Sequence, residues 1–98
     1  MCEPIRVDPE LRDLVPGYLT RRREDVVALR EALAEDDLAT VALRGHKMKG
    51  SGAGYGFDRI SEIGARLERA AQSGDADEAR TRVDELESYL DGIELVNE

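Results

Sequence analysis

From Gly17 to about Ala34 the chain places Tyr18, Arg22, Val26, Leu29 and Leu33 at steps of three and four residues, the spacing of one buried stripe on a long amphipathic helix. The acidic run Glu35-Asp36-Asp37 then makes a tight turn. Leu38, Val41, Gly45, Met48, Gly52 and Tyr55 carry the same spacing through a second long helix, which ends in the glycine-rich segment Gly52-Ala53-Gly54-Tyr55-Gly56. Asp58 is the next expected helix cap. Ile60, Ile63, Gly64, Leu67 and Ala71 line a third helix. Ser73-Gly74 closes it, and Asp75 caps a fourth that carries Ala79, Val83, Leu86, Leu90 and Ile93. Upstream, Asp8-Pro9-Glu10 has the order cap, proline at the first helical position, acid in the first turn, which predicts a short helix from Pro9 that Pro16 breaks or kinks.

These elements predict an all-α protein. Four amphipathic helices joined by a few residues each pack most simply as an antiparallel up-down four-helix bundle, with the short extra N-terminal helix as a lid at one end. The 98 residues suffice for one core, so a single domain over 1–98 is expected, with a helical body of about 9–95. A chain of this size suits a binding module or a carrier of one reactive group better than an enzyme with a deep substrate cleft.

Charge narrows the partners. Acids outnumber bases 22 to 14 and the two signs are interleaved. The one local basic run, Arg21-Arg22-Arg23, is followed at once by Glu24 and Asp25, so nucleic acid is not an expected partner. The acid pairs Asp36-Asp37 and Glu85 with Glu87 read as solvated faces or caps rather than as acid-base machinery. One cysteine, Cys2, and one histidine, His46, leave no internal disulfide and no metal site to build. No apolar run approaches a membrane span, and the opening MCEPIRVDPE lacks the apolar centre of a signal peptide, so no membrane association and a cytoplasmic location are expected.

Three glycines stand where the pattern is helical, each costing about 1 kcal/mol relative to alanine. Gly45 and Gly52 fall on the apolar stripe beside Val41 and Met48, where they let a neighbouring helix come close. Gly50 lies off that stripe, one turn beyond His46 and on the face of the imidazole, and its expected role is clearance. The other neighbours of His46 on that face are Ala39, Ala42, Leu43 and Ala53. In a chain this rich in charge, small residues around a histidine predict a docking surface. Lys49, three residues on, can bring its ammonium group to an anion held on the ring, and Lys47 adds positive charge on the other flank. An imidazole with a neutral fraction near pH 7 supplies a nucleophilic nitrogen, and its N-phosphoryl product stays reactive enough to hand on. Loose phosphoryl-transfer transition states need mainly alignment and charge, so histidine, clearance and local cations are enough for a carrier.

The run His46-Lys47-Met48-Lys49-Gly50-Ser51-Gly52-Ala53-Gly54-Tyr55-Gly56-Phe57 resembles the signature of histidine-containing phosphotransfer (HPt) domains. The resemblance extends over about Val7 to Ile93. It implies that His46 is the phosphoacceptor, that Lys49 supports the phosphoryl group and that Gly50 keeps the adjacent space open. It implies receiver domains of response regulators as partners, with a hybrid sensor histidine kinase as the source of phosphate. It implies no cofactor of the chain's own, the assisting Mg2+ belonging to the receiver, and no independent kinase activity. Where some members carry a glutamine on the following helix to orient the histidine, this chain has Glu68, an acid that can still accept an N–H bond. A monomer is expected.

Two other readings of the glycines fail on context. Gly45 to Gly50 has the spacing that opens a P-loop, but Ser51 stands where the lysine is needed, and both that motif and a dinucleotide fingerprint follow a β-strand absent from this pattern. The remaining alternative is a bundle of the same fold that regulates a signalling partner by docking alone, without carrying phosphate.

Overall fold

The computed structural model describes residues 3–6 and 9–96, with side chains described from 9 to 93. The expected Asp8 cap and Cys2 lie outside the described residues. Four helices form the body: α1 (Val15–Ala34), α2 (Leu38–Ser51), α3 (Asp58–Gln72) and α4 (Ala76–Asp91). Each packs on its neighbour in chain order and α1 closes the ring on α4, the α2–α3 pair being in the most intimate contact.

The helices start and stop for local reasons. Asp37 caps α2, its carboxylate accepting from the Thr40 N–H at 3.1 Å and from the Thr40 hydroxyl at 2.6 Å. Asp75 caps α4 in the same way, accepting from the Glu78 N–H. Between α1 and α2 the chain reverses through Asp36 at φ 56°, a left-handed conformation that aspartate tolerates. Gly74, at φ 75°, makes the turn after α3.

Several expected boundaries shift. No helix begins at Pro9: a turn leads into one 3-10 turn at Arg12–Leu14, which runs directly into α1. Pro16 therefore neither breaks nor kinks a helix. It sits in the first turn of α1, where its missing N–H has no intrahelical acceptor to lose. Asp58 does not cap α3 but is its first residue; Phe57 takes the cap position without a side-chain bond, because its ring is fully buried. The second helix stops at Ser51 and a separate 3-10 turn, Ala53–Tyr55, follows. Ile93 lies beyond α4, in a four-residue strand β2 (Ile93–Val96) that pairs in parallel with β1 (Glu3–Arg6), an addition to the helical fold that helix-period reading passes over.

The core follows the stripes. Tyr18, Val26, Leu29 and Leu33 of α1, Val41 and Met48 of α2, Ile60, Ile63 and Leu67 of α3, and Ala79, Val83, Leu86 and Leu90 of α4 are all buried. Arg22, on the same stripe of α1, lays its guanidinium 4.5 Å over the Tyr18 ring. Tyr18 in turn stacks on Tyr55 at 4.3 Å and Phe57 at 5.8 Å, which pins the glycine-rich connection to α1.

Candidate functional site

The position of the site is decided by glycine. A Cβ placed on Gly64 would come within 2.6 Å of the Lys49 nitrogen and 2.7 Å of the Gly45 oxygen, and one on Gly45 within 2.7 Å of the Gly64 oxygen and 2.8 Å of the Glu68 nitrogen. The backbones of α2 and α3 therefore touch at this crossing, closer than any larger residue allows. Gly52 makes a second such contact, its Cβ position falling 2.6 Å from the Ser61 nitrogen. Ser61 fastens this end of the pair: its hydroxyl donates to the Lys49 carbonyl at 3.0 Å and accepts from the Ala53 N–H at 2.7 Å.

One turn beyond Gly64, this approach delivers the Glu68 carboxylate to α2. Its Oε2 lies 2.9 Å from His46 Nδ1 and its Oε1 2.9 Å from Lys49 Nζ. A carboxylate can only accept, so Nδ1 carries the hydrogen and Nε2 of a neutral ring carries the lone pair. The bond from Lys49, assisted by that from His46, holds the Glu68 carboxyl below its usual range. Glu68 is therefore ionised at neutral pH. It is also well shielded, its side chain 17% exposed, while that of His46 is 63% exposed. Nδ1 is thus turned toward α3, and among the described residues Nε2 has no hydrogen-bond partner.

Gly50 borders open space, nothing lying within 4 Å of a Cβ placed there. Ala39 and Leu43 are exposed on the same side of α2, with Leu43 at 54%, while Ala42 is partly buried and packs against the core. Ala53, expected on that helical face, is exposed in the 3-10 turn beyond the end of α2. Lys49 and Glu68 are brought to the ring; Lys47 is not. It stands on the far flank of α2, in the wall of a cleft between α1 and α2 that Arg22, Asp25, Thr40, Leu43 and Arg44 complete. Among the described residues no group of three or more His, Cys, Asp or Glu side chains is arranged to hold a metal ion.

Residues 13–95 match the family model of the Hpt domain. The chain belongs to the Hpt family. Searches of curated proteins and of solved structures give no match. Hpt domains are phosphocarrier modules rather than kinases, and membership implies a part in a histidine phosphotransfer relay, with receiver domains and kinases as the interacting classes. No helix among the described residues of this Hpt domain is long and apolar enough to cross a membrane.

Reading by period alone passed over Ser61, Asp25 and the place of Glu68. For Ser61 and Glu68 a signal was present: Ser61, Gly64 and Glu68 recur at helical steps opposite Gly52, Gly45 and Lys49, a face of small residues ending in an acid. For Asp25 spacing within α1 announces the i, i+3 ion pair with Arg22, at 2.8 Å, but neither its burial at 7% exposure nor the bond it accepts from Arg44 of α2 at 2.7 Å.

Proposed function

We propose that this Hpt domain is a phosphorelay intermediate in which His46 Nε2 accepts a phosphoryl group from a receiver aspartate and passes it to another. The observation that carries the reading is the 2.9 Å bond between Nδ1 and Glu68 on an otherwise exposed ring. It selects the tautomer whose lone pair is on the outward nitrogen.

In the forward step the Nε2 lone pair attacks phosphorus, the bond from phosphorus to the aspartyl oxygen breaks, and the aspartate leaves as a carboxylate. The Nδ1 hydrogen stays where it is, and the positive charge that forms on the ring faces the Glu68 carboxylate. Lys49 then has two anions within reach, Glu68 and the new phosphoryl oxygens, and neutralises the latter. Gly50 leaves room for the tetrahedral group. Any Mg2+ is supplied by the receiver. Ala39, Ala42, Leu43 and Ala53 form the surface on which the receiver rests, and Lys47 flanks it. The chain acts as one unit over 1–98, as a monomer in the cytoplasm. The three-residue links between α1 and α2 and between α3 and α4 support an up-down course of successive helices. A hybrid sensor histidine kinase is the source of the phosphate.

The test is incubation with a phosphorylated receiver domain and Mg2+. An acid-labile, base-stable phosphate on His46, lost in His46→Gln while helicity and thermal unfolding are retained, supports the carrier. Unchanged labelling in His46→Gln rejects the assignment. No labelling of folded protein by several receivers would leave docking without phosphate as its role.

A further inference from the structure

The stretch of sequence about His46 differs in charge from the rest of the chain. In the fold Glu68 pairs with Lys49 and Asp25 with Arg44, which leaves Lys47 as the stretch's unpaired cation among the described residues. Residues 38–57 contain Arg44, Lys47 and Lys49 and no acid, so all 22 acids lie elsewhere, and Lys47 and Lys49 are the only lysines in the sequence. The cationic segment is also shaped. Beside the docking face, between α1 and α2, is a cleft of about 300 Å³ lined by Arg22, Asp25, Thr40, Leu43, Arg44 and Lys47. At roughly 100° per residue, Leu43 and Lys47 lie about 60° and 100° around α2 from His46, with Arg44 deeper in the groove. The cleft thus opens on the flank opposite Glu68.

Its floor is preorganised. Asp25 is buried and engages Arg22 from its own helix and Arg44 from α2, which fixes the Arg44 guanidinium in place. A single carboxylate shared by two arginines leaves cationic charge over, and Lys47 adds to it with no ion pair among the described residues. Leu43 supplies an apolar lip. The occupant that fits is a carboxylate on a short apolar stem.

We propose that this cleft is a second contact for the phosphate-exchanging partner, taking an acidic side chain from the rim of the receiver's phosphorylation site. This rests on the phosphocarrier reading and adds the partner's chemistry to it. Mg2+ beside a phosphate is usually held by one or two carboxylates together with waters and phosphate oxygens, so a receiver that uses Mg2+ carries acids beside its phosphorylated aspartate. Its approaching face is acidic, and the acid-free segment 38–57 is its complement in a chain otherwise of the same sign. The cleft is therefore a specificity determinant: it fixes the rotation of the receiver about the His46 axis, which the flat, small-residue surface alone leaves open.

The experiment uses Thr40→Glu. Thr40 lines the cleft at the third position of α2, from which a glutamate can pair with Arg44 one turn on, so the variant fills the cleft with a carboxylate of its own. Because it also gives up the Thr40 hydroxyl bond to Asp37, its thermal unfolding is measured beside transfer, and Lys47→Glu, which leaves that cap intact, is the second variant. Transfer from a receiver domain phosphorylated with acetyl phosphate and Mg2+ is compared with labelling by phosphoramidate, which reports His46 chemistry without any protein partner. The expected result is a roughly tenfold fall in receiver kcat/KM, about 1.4 kcal/mol, through KM, with phosphoramidate labelling retained and a weaker salt dependence than wild type. Lys47→Glu should act in the same direction. Receiver transfer unchanged in both variants overturns the proposal. Failure of wild-type His46 to take phosphate from either donor overturns the phosphocarrier reading, and the cleft proposal with it.

Discussion

Gly50 and Gly64 make a controlled pair, because the same substitution at two helical glycines should act with opposite sign. At Gly64 an added methyl meets the Lys49 nitrogen at 2.6 Å and the Gly45 oxygen and Met48 Cβ at 2.7 Å. Two of these are backbone atoms, which cannot rotate away, so α2 and α3 must separate. Overpacking of this kind costs about 1–3 kcal/mol, against which the better helix propensity of alanine returns about 1 kcal/mol. With backbone on two sides the cost falls in the upper part of that range, about 2–3 kcal/mol, so Gly64→Ala is expected at a net loss of about 1–2 kcal/mol. At Gly50 the methyl meets nothing within 4 Å, so only the propensity term acts. Gly50→Ala should gain about 0.5–1 kcal/mol, somewhat reduced by its place in the last turn of α2. For a domain of this size each kcal/mol moves Tm by about 4–8 °C, so calorimetry or thermal circular dichroism separates the two variants clearly. The functional corollary is that Gly50→Ala transfers phosphate more slowly than wild type despite its greater stability, and Gly50→Glu blocks transfer. Wild-type stability in Gly64→Ala would refute the close-contact account of the site. A destabilised Gly50→Ala, or full transfer in Gly50→Glu, would refute clearance as the reason for that glycine.

The Glu68 contact predicts the tautomer directly: 15N NMR at a pH where the ring is neutral should find the hydrogen of His46 on Nδ1, and Glu68→Ala should return it to the Nε2–H form that exposed histidines prefer. Lys49→Ala should slow phosphotransfer while leaving that tautomer and the thermal midpoint nearly unchanged, because only the carboxylate fixes the ring. Asp37, through its bonds from the Thr40 side chain and backbone, and Glu68, through Lys49 and then His46, both hold their carboxyls below the usual range. The unfolded chain therefore takes up protons first as pH falls. The stability they contribute is complete above the ordinary carboxylate range and is lost as pH drops through their lowered values; melts in acid should show a shallower decline for Asp37→Asn than for wild type. Asp25→Ala should cost about 2 kcal/mol, since at a buried position it removes the acceptor of Arg44's hydrogen bond and the ion-pair partner of Arg22, and an unchanged urea midpoint would contradict the clasp.

What could be read from the sequence, and what could not, divides along a physical line. Periodicity reports which face of a helix is buried, so the four stripes and the burial of Leu29, Val41, Ile63 and Leu86 follow from spacing alone. It reports little about ends, where one hydrogen bond decides: Asp75 caps as expected and Asp37, read as a turn residue and as either solvated or a cap, caps α2, but Asp58 yields to Phe57, whose buried ring fixes the chain there. Around the site, the exposure of His46 and the open space at Gly50 are properties of α2 by itself, and both were legible. The role of Glu68 came from the family resemblance and not from periodicity, since an acid 22 positions away touches His46 only because Gly45 and Gly64 let two backbones meet. Seen from α3 alone, that acid could be a solvated surface charge. Placed at the crossing, it determines which imidazole nitrogen is left to react.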